Sequence, residues 1–316
     1  MPDQKRLELI AEIARLYYQE KHNLKEIAKI FHISSSSVSR LLQEAHDLKI
    51  VEVVIRYPLL TDATLGMQLK QRLALKDAYV LSDFGGAYQD MLSRVGRLAA
   101  RVLEERLGDG MTLGISLGSA VANTAQAFVM AQPRHCLVVR LQGASENEVM
   151  EGTDLTQIFS RQLGDEFKII PAPWIMQNRE SCDLILQEPS VKDAVRSAEC
   201  SDIALVGIGT LDPPLSTILR NKLISRQELN ELRAANAAGE ICGKYFDRHG
   251  SIMEVEFNHR SVSIDLEKLR EIHTVIAVAA GPSKVDSILG AVRGRLINVL
   301  VTDAGAARLL LERNGA

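Results

Sequence analysis

Cysteine is scarce in this chain and is not clustered. Four cysteines, Cys136, Cys182, Cys200 and Cys242, are scattered through 316 residues. None stands in a C-x-x-C pair, so neither a zinc site nor a disulfide framework is indicated. No run of about 18 apolar residues occurs. The opening MPDQKRLELIAEIARLYY carries acidic residues where a secretory signal has a basic and then an apolar region, which predicts a cytoplasmic protein without membrane contact. Positive charge is not in excess either: 37 Lys and Arg stand against 40 Asp and Glu, a net charge of −3. A nucleic-acid partner therefore has to be read from a local pattern. No histidine or pair of carboxylates stands beside the glycine turns, and His135 and His273 precede expected strands, so acid–base catalysis lacks its usual signature. No cofactor is called for.

What the chain has is 46% hydrophobic and 24% charged residues, the balance of an ordinary globular protein, and length enough for about two domains. Its first segment reads as helices only. In LELIAEIARLYY, Leu7, Ile10, Ile13, Ala14 and Tyr17 recur at three- and four-residue spacing, the mark of one buried helical face. In NLKEIAKIF, Asn23 is placed to cap a second helix with Glu26 three residues on, and Leu24, Ile27, Ala28 and Phe31 form its inner face.

Four serines follow in HISSSSVSRLL. A helix from Ser35 to about Ala45 puts Val38, Leu41, Leu42 and Ala45 on one stripe. Ser36, Ser37, Ser39, Arg40 and Gln43 then lie on the other. Two short helices joined by a tight turn make a helix-turn-helix, and Ser35, Ser36, Ser37, Ser39, Arg40 and Gln43 are the expected DNA-contacting set. The plainer alternative is a solvated face of a small helical bundle. The charge of residues 1–56 is near balance, nine Lys and Arg against eight Asp and Glu, which supports a basic patch only weakly. KIVEVVI, Lys49–Ile55, is rich in β-branched residues and reads as a short strand or wing before Pro58 breaks regular structure. The boundary falls between a DNA-binding domain of residues 1–56 and a second domain of residues 57–316.

From about residue 110, apolar runs (MTLGIS, CLVVRLQG, FKIIPAP, DIALVGIG, TVIAVAAG, NVLVTD) alternate with helical segments. This predicts a parallel sheet covered on both faces, a doubly wound α/β domain. Loops after its strands are the places for a ligand. Gly118, Ser119 and Ala120 open a helix whose free N–H groups suit a phosphate. Gly207 and Gly209, in GIGT, bring backbone close, though not as G-x-G-x-x-G. Lys284 stands near a helix start as the candidate cation, and Asp303, at a strand end, as hydroxyl acceptor or helix cap.

LKEIAKIFHISSSSVSRLLQEAHDLKIVEVVI resembles the helix-turn-helix of the SorC family, bacterial regulators of sugar catabolism operons. LGISLGSAV, VVRLQGA, IIPAPWIM, SDIALVGIGTL, AAGEICGKYFDRHG, VIAVAAGPSKVDSILGAVRG and NVLVTDAGAARLLL resemble the family pattern in the same order. The resemblance implies an effector domain with a fold like phosphosugar isomerases, a sugar or sugar-phosphate effector, operator DNA as partner, and a homodimer or homotetramer. It adds Gly143, of VVRLQGA, and Glu240, where the family commonly has Asp, to the effector-binding set. It also marks departures: His32 replaces the usual glycine of the turn, Ser35 a basic residue and Leu117 a tryptophan. An isomerase-like enzyme with a helical appendage is the alternative. A third possibility is a Schiff base on Lys284 with an aldehyde effector.

Overall fold

A computed structural model describes residues 4–48, 50–51, 59–83, 86–132, 134–144, 154–164 and 166–314. The chain divides into two compact units, Met1–Pro58 and Leu59–Ala316. The first unit holds α1 (Gln4–Tyr18), α2 (Leu24–Ile30) and α3 (Ser35–Asp47). Ile10, Ile13, Ile27, Val38 and Ala45 are fully buried among the three helices. Asn23 caps α2 by accepting the Lys25 and Glu26 N–H groups, and the Glu26 carboxylate accepts the Asn23 N–H at 2.9 Å, closing a capping box. The helix ends at Phe31, after which His32 takes φ +54°. The Ile33 N–H returns to Ala28 O at 3.0 Å, so a histidine fills the left-handed position that glycine usually holds. Ser34 caps α3: its hydroxyl accepts the Ser37 N–H at 3.1 Å and lies 2.8 Å from the hydroxyls of Ser36 and Ser37. The strand expected over Lys49–Ile55 lies, apart from Ile50 and Val51, outside the described residues.

The second unit begins with α4 (Ala63–Arg72), β1 (Asp77–Leu81), α5 (Tyr88–Arg106), β2 (Thr112–Ile115), α6 (Ser119–Ala127) and β3 (Leu137–Arg140). It continues with α7 (Leu155–Ser160), β4 (Phe167–Lys168), α8 (Arg179–Ile185), α9 (Pro189–Glu199), β5 (Ile203–Gly207), α10 (Thr217–Arg220) and α11 (Arg226–Ala234). A hairpin of β6 (Ala237–Ile241) and β7 (Lys244–Asp247) follows, then α12 (Glu256–His259), α13 (Leu266–Glu271) and β8 (Thr274–Val278). A 3-10 turn at Pro282–Lys284 leads into α14 (Val285–Arg293), β9 (Val299–Asp303) and α15 (Ala304–Arg313).

Among the described residues seven strands pair in the order β1-β9-β8-β5-β2-β3-β4, and every pairing is parallel. The six apolar runs become β2, β3, β4, β5, β8 and β9. Except in the edge strand β4, where Phe167 is 43% exposed, their central residues are buried on both faces, which is why they carry no polar alternation. Strand β1 and the antiparallel hairpin β6–β7 were not among the expected strands. After β2 the chain moves outward through β3 and β4, and after β5 it moves the opposite way through β8 and β9. Since β2 pairs β5, the order reverses between them, and the crevice at their carboxyl ends is the expected place for a ligand.

Candidate functional site

That crevice is a cleft of about 460 Å³ lined from the ends of β2, β5 and β8. Gly118, Ser119, Ala120, Gly207, Gly209, Glu240 and Lys284 all line it. Gly118 precedes α6 at φ +144° with no side-chain cap on the helix, so backbone N–H groups at the start of α6 have no side chain bonded across them. A Cβ at Gly118 would meet nothing within 4 Å; the glycine is required by its backbone angle.

Gly209 is required for a different reason. Its N–H donates to Glu240 O at 2.8 Å, and a Cβ on it would collide with the Glu240 carboxylate. The space that the sequence suggested for a ligand is therefore filled by a side chain of the hairpin. Glu240 also accepts the Gly243 N–H at 2.9 Å. Burial pushes the Glu240 carboxyl pKa up, against the pull of that N–H and of the Lys284 charge.

Lys284 closes the 3-10 turn and is only 9% exposed, so it is not a surface lysine. Its ammonium donates to Ile208 O at 2.7 Å. Burial lowers its pKa to about 8, with Glu240 and Asp212 opposing the shift and Arg220 adding to it. Because the folded pKa lies below the unfolded one, the unfolded chain holds more protons between pH 8 and 10.5. The cost of burying this charge is thus full below pH 8 and disappears as pH rises through that window.

Two of the expected residues stand apart from the lining. Asp303 is 7% exposed: one carboxylate oxygen accepts the Ala306 N–H at 3.0 Å as cap of α15, and the other accepts the Gly281 N–H at 2.6 Å. It ties the β8 loop to the end of β9. Gly143 donates to Val262 O at 2.9 Å and lies so close to Ala172 and Pro173 that a Cβ would meet Ala172 O at 2.5 Å.

The cleft adds residues that the sequence did not announce. Tyr88, Leu92, Trp174 and Thr217 line it. Burial pushes the Tyr88 hydroxyl pKa up, and Arg220 pulls it down. Arg220 donates to the Thr217 hydroxyl at 3.3 Å, and its charge acts on both Tyr88 and Lys284, which puts a second cation near the lining. Gln142 is fully buried behind the first loop: its Oε1 accepts the Leu117 N–H at 3.3 Å, and its amide nitrogen has no hydrogen-bond partner among the described residues. No group of three or more His, Cys, Asp or Glu suited to a metal ion occurs among the described residues.

On the first unit, Ser36, Ser39, Arg40 and Gln43 are exposed on α3, while Ser35 and Ser37 are half-buried. Gln43 donates to Asp47 at 3.1 Å, and Arg40 makes no hydrogen bond or ion pair among the described residues.

The model of a sugar-binding domain family matches residues 57–312. Along 97% of its length the chain is 30% identical to the sorbitol operon regulator of Klebsiella pneumoniae, covering 98% of that protein. The chain belongs to the sugar-binding domain family of SorC-type transcriptional regulators. The deoxyribonucleoside regulator of Bacillus subtilis strain 168 is 28% identical over 98% of this chain and 99% of its own. The crystal structure of the full-length sorbitol operon regulator SorC from Klebsiella pneumoniae superposes with a TM-score of 0.72 at 30% identity, over 98% of this chain and 100% of that one. In this SorC-type regulator no helix among the described residues is long and apolar enough to cross a membrane.

Proposed function

We propose that this SorC-type protein regulates transcription of a carbohydrate catabolism operon. Its first unit, residues 1–56, reads operator DNA, and a sugar or sugar phosphate bound in the cleft of residues 57–316 changes that affinity. The observation that carries the reading is the cleft at the strand-order reversal: an uncapped helix start, a buried lysine and a carboxylate converge there, a set that meets both phosphate and hydroxyl groups. In the first unit α2 and α3 act as a helix-turn-helix. The small serines let α3 approach a groove, and Arg40, without a partner among the described residues, can reach a base or phosphate. The proposed effector unit is of the phosphosugar-isomerase type, and effector binding works by differential affinity for the DNA-competent and incompetent states.

The test is fluorescence anisotropy on DNA from immediately upstream of the protein's own gene, against scrambled DNA, at fixed salt, with a panel of sugars and sugar phosphates. Sequence-dependent binding altered by one panel member is expected; equal binding to both DNAs under every condition rejects the reading. In the same assay Arg40→Ala is expected to weaken operator binding by about 1–3 kcal/mol, roughly 5- to 150-fold, while leaving unfolding of the second unit unchanged. Unaltered affinity removes Arg40 from the interface.

The charge on Lys284 also makes a pH profile informative. For a phosphate-bearing effector, affinity is expected to be constant below pH 8, once the change in the phosphate's own charge is corrected for. Above about pH 8, where Lys284 loses its proton, it is expected to fall by up to about tenfold per unit. Isothermal titration across that range with the active panel member reads this directly. A flat profile means that the lysine charge does not face the ligand.

A further inference from the structure

Four arginines line one cleft of about 890 Å³ on the second unit. They arrive from four separate places: Arg233 from the last turn of α11, Arg248 from the turn after β7, Arg293 from the last turn of α14 and Arg313 from the end of α15. On α14, Asp286, Leu289 and Arg293 fall at i, i+3 and i+7, one face of the helix, and all three line the cleft. Among the described residues the lining holds a single acid, Asp286, and it is paired with Arg313. Arg293 donates to the Arg248 carbonyl at 3.0 Å, a bond that holds the guanidinium without neutralising it. Among the described residues Arg233, Arg248 and Arg293 have no carboxylate partner. A basic residue in the last turn of a helix is favourable, which accounts for Arg233, Arg293 and Arg313 one at a time. It does not account for their convergence with Arg248 on one concave space, where like charges repel.

We infer that this cleft binds a small anion carrying two or more linked phosphates. Each guanidinium offers a planar fork of donors that fits a phosphate edge, and an anion of several charges offsets the repulsion among them. The shape separates the site from a nucleic-acid surface. A duplex presents its phosphates in a row, whereas these arginines come onto one volume from four elements. No aromatic ring lines the cleft among the described residues, so a base finds no stacking partner and the phosphates themselves are read. The site shares no lining residue with the proposed effector cleft. The two stand at opposite ends of α14: Lys284 immediately precedes the helix and Arg293 closes it, roughly 13 Å further along the axis.

The experiment is isothermal titration of the full chain with sodium tripolyphosphate at fixed ionic strength, beside orthophosphate and citrate. It is run on the native sequence, Arg233→Gln, Arg248→Gln and Lys284→Met, with thermal unfolding of each as a check on folding. One tripolyphosphate per chain is expected to bind, more tightly than either comparison anion. Each arginine substitution is expected to weaken it roughly tenfold, as loss of a charge-assisted hydrogen bond does, and Lys284→Met to leave it unchanged. Adenosine triphosphate separates the two sources of such a phosphate chain: affinity equal to that of tripolyphosphate supports a nucleotide, and much weaker affinity supports the inorganic anion. Absence of tripolyphosphate binding, arginine variants that bind as the native chain does, or loss of binding in Lys284→Met overturns the site. Citrate bound as tightly as tripolyphosphate overturns the assignment to phosphate.

Discussion

Gly250→Ala is expected to remove about 3–5 kcal/mol from the stability of the second unit. Gly250 sits in the turn after β7 at φ +83°. An L-residue there costs roughly 1–2 kcal/mol for the left-handed backbone alone. The larger part is steric. A Cβ would collide with the backbone of Gly294 at the end of α14 and lie 2.6 Å from Gly290 O. These are main-chain atoms that no rotamer change can move aside, so overpacking stands at the upper end of its usual range of about 1–3 kcal/mol. Gly110→Ala is the control. That glycine has a similar φ of +76° but nothing within 4 Å of its Cβ position, so only the backbone component remains, about 1 kcal/mol. Urea unfolding followed through Trp174, the chain's single tryptophan and 2% exposed, reports on the unit that holds both sites. Equal costs at the two positions mean that the turn and α14 are not in contact.

Lys284→Met is expected to abolish the effector response while leaving DNA binding in the absence of effector intact. Methionine keeps most of the apolar stem and the shape of the buried side chain but removes the ammonium. A hydrogen bond to a charged group contributes about 1.5–3 kcal/mol, so effector affinity at neutral pH falls roughly 10- to 150-fold. Below pH 8 the lysine carries its proton, so the neutral replacement differs from it by a full charge. The measurement is the anisotropy titration with the active panel member. A variant that still responds at the original concentration places the effector elsewhere.

The residues the sequence made legible are those whose local chemistry is distinctive. Asn23 with Glu26, and Asp303 before AGAARLLL, mark helix starts because capping is a short-range matter. The buried strands are equally plain, since a parallel strand covered on both faces reads as an unbroken apolar run. Strand β1, DAYVL, is short and half-buried over its first three residues, and so gave no such run. Contacts set by the topology are a different matter. Nothing near Gly209 tells that its open side faces Glu240, which arrives some thirty residues later on a hairpin. Lys284 is recognisable as a cation beside a helix, but its burial depends on the loop after β5. Tyr88, Trp174, Thr217 and Arg220 reach the cleft or its margin from three separated stretches, and none stands in a pattern that announces a ligand. Gly143 looked like its fellow glycines and serves packing between backbone segments instead.

The resting bond from Lys284 to Ile208 O gives the cleft a threshold. The ammonium is satisfied before any ligand arrives, so a newcomer that draws it away leaves a carbonyl unpaired and has to offer a stronger acceptor in exchange. A lone hydroxyl makes a near-even trade, whereas a phosphate or carboxylate oxygen makes a favourable one. On the proposed reading, an occupied lysine discriminates better than a free one: a neutral sugar would gain little from it, and a molecule whose charge wins the exchange would gain most.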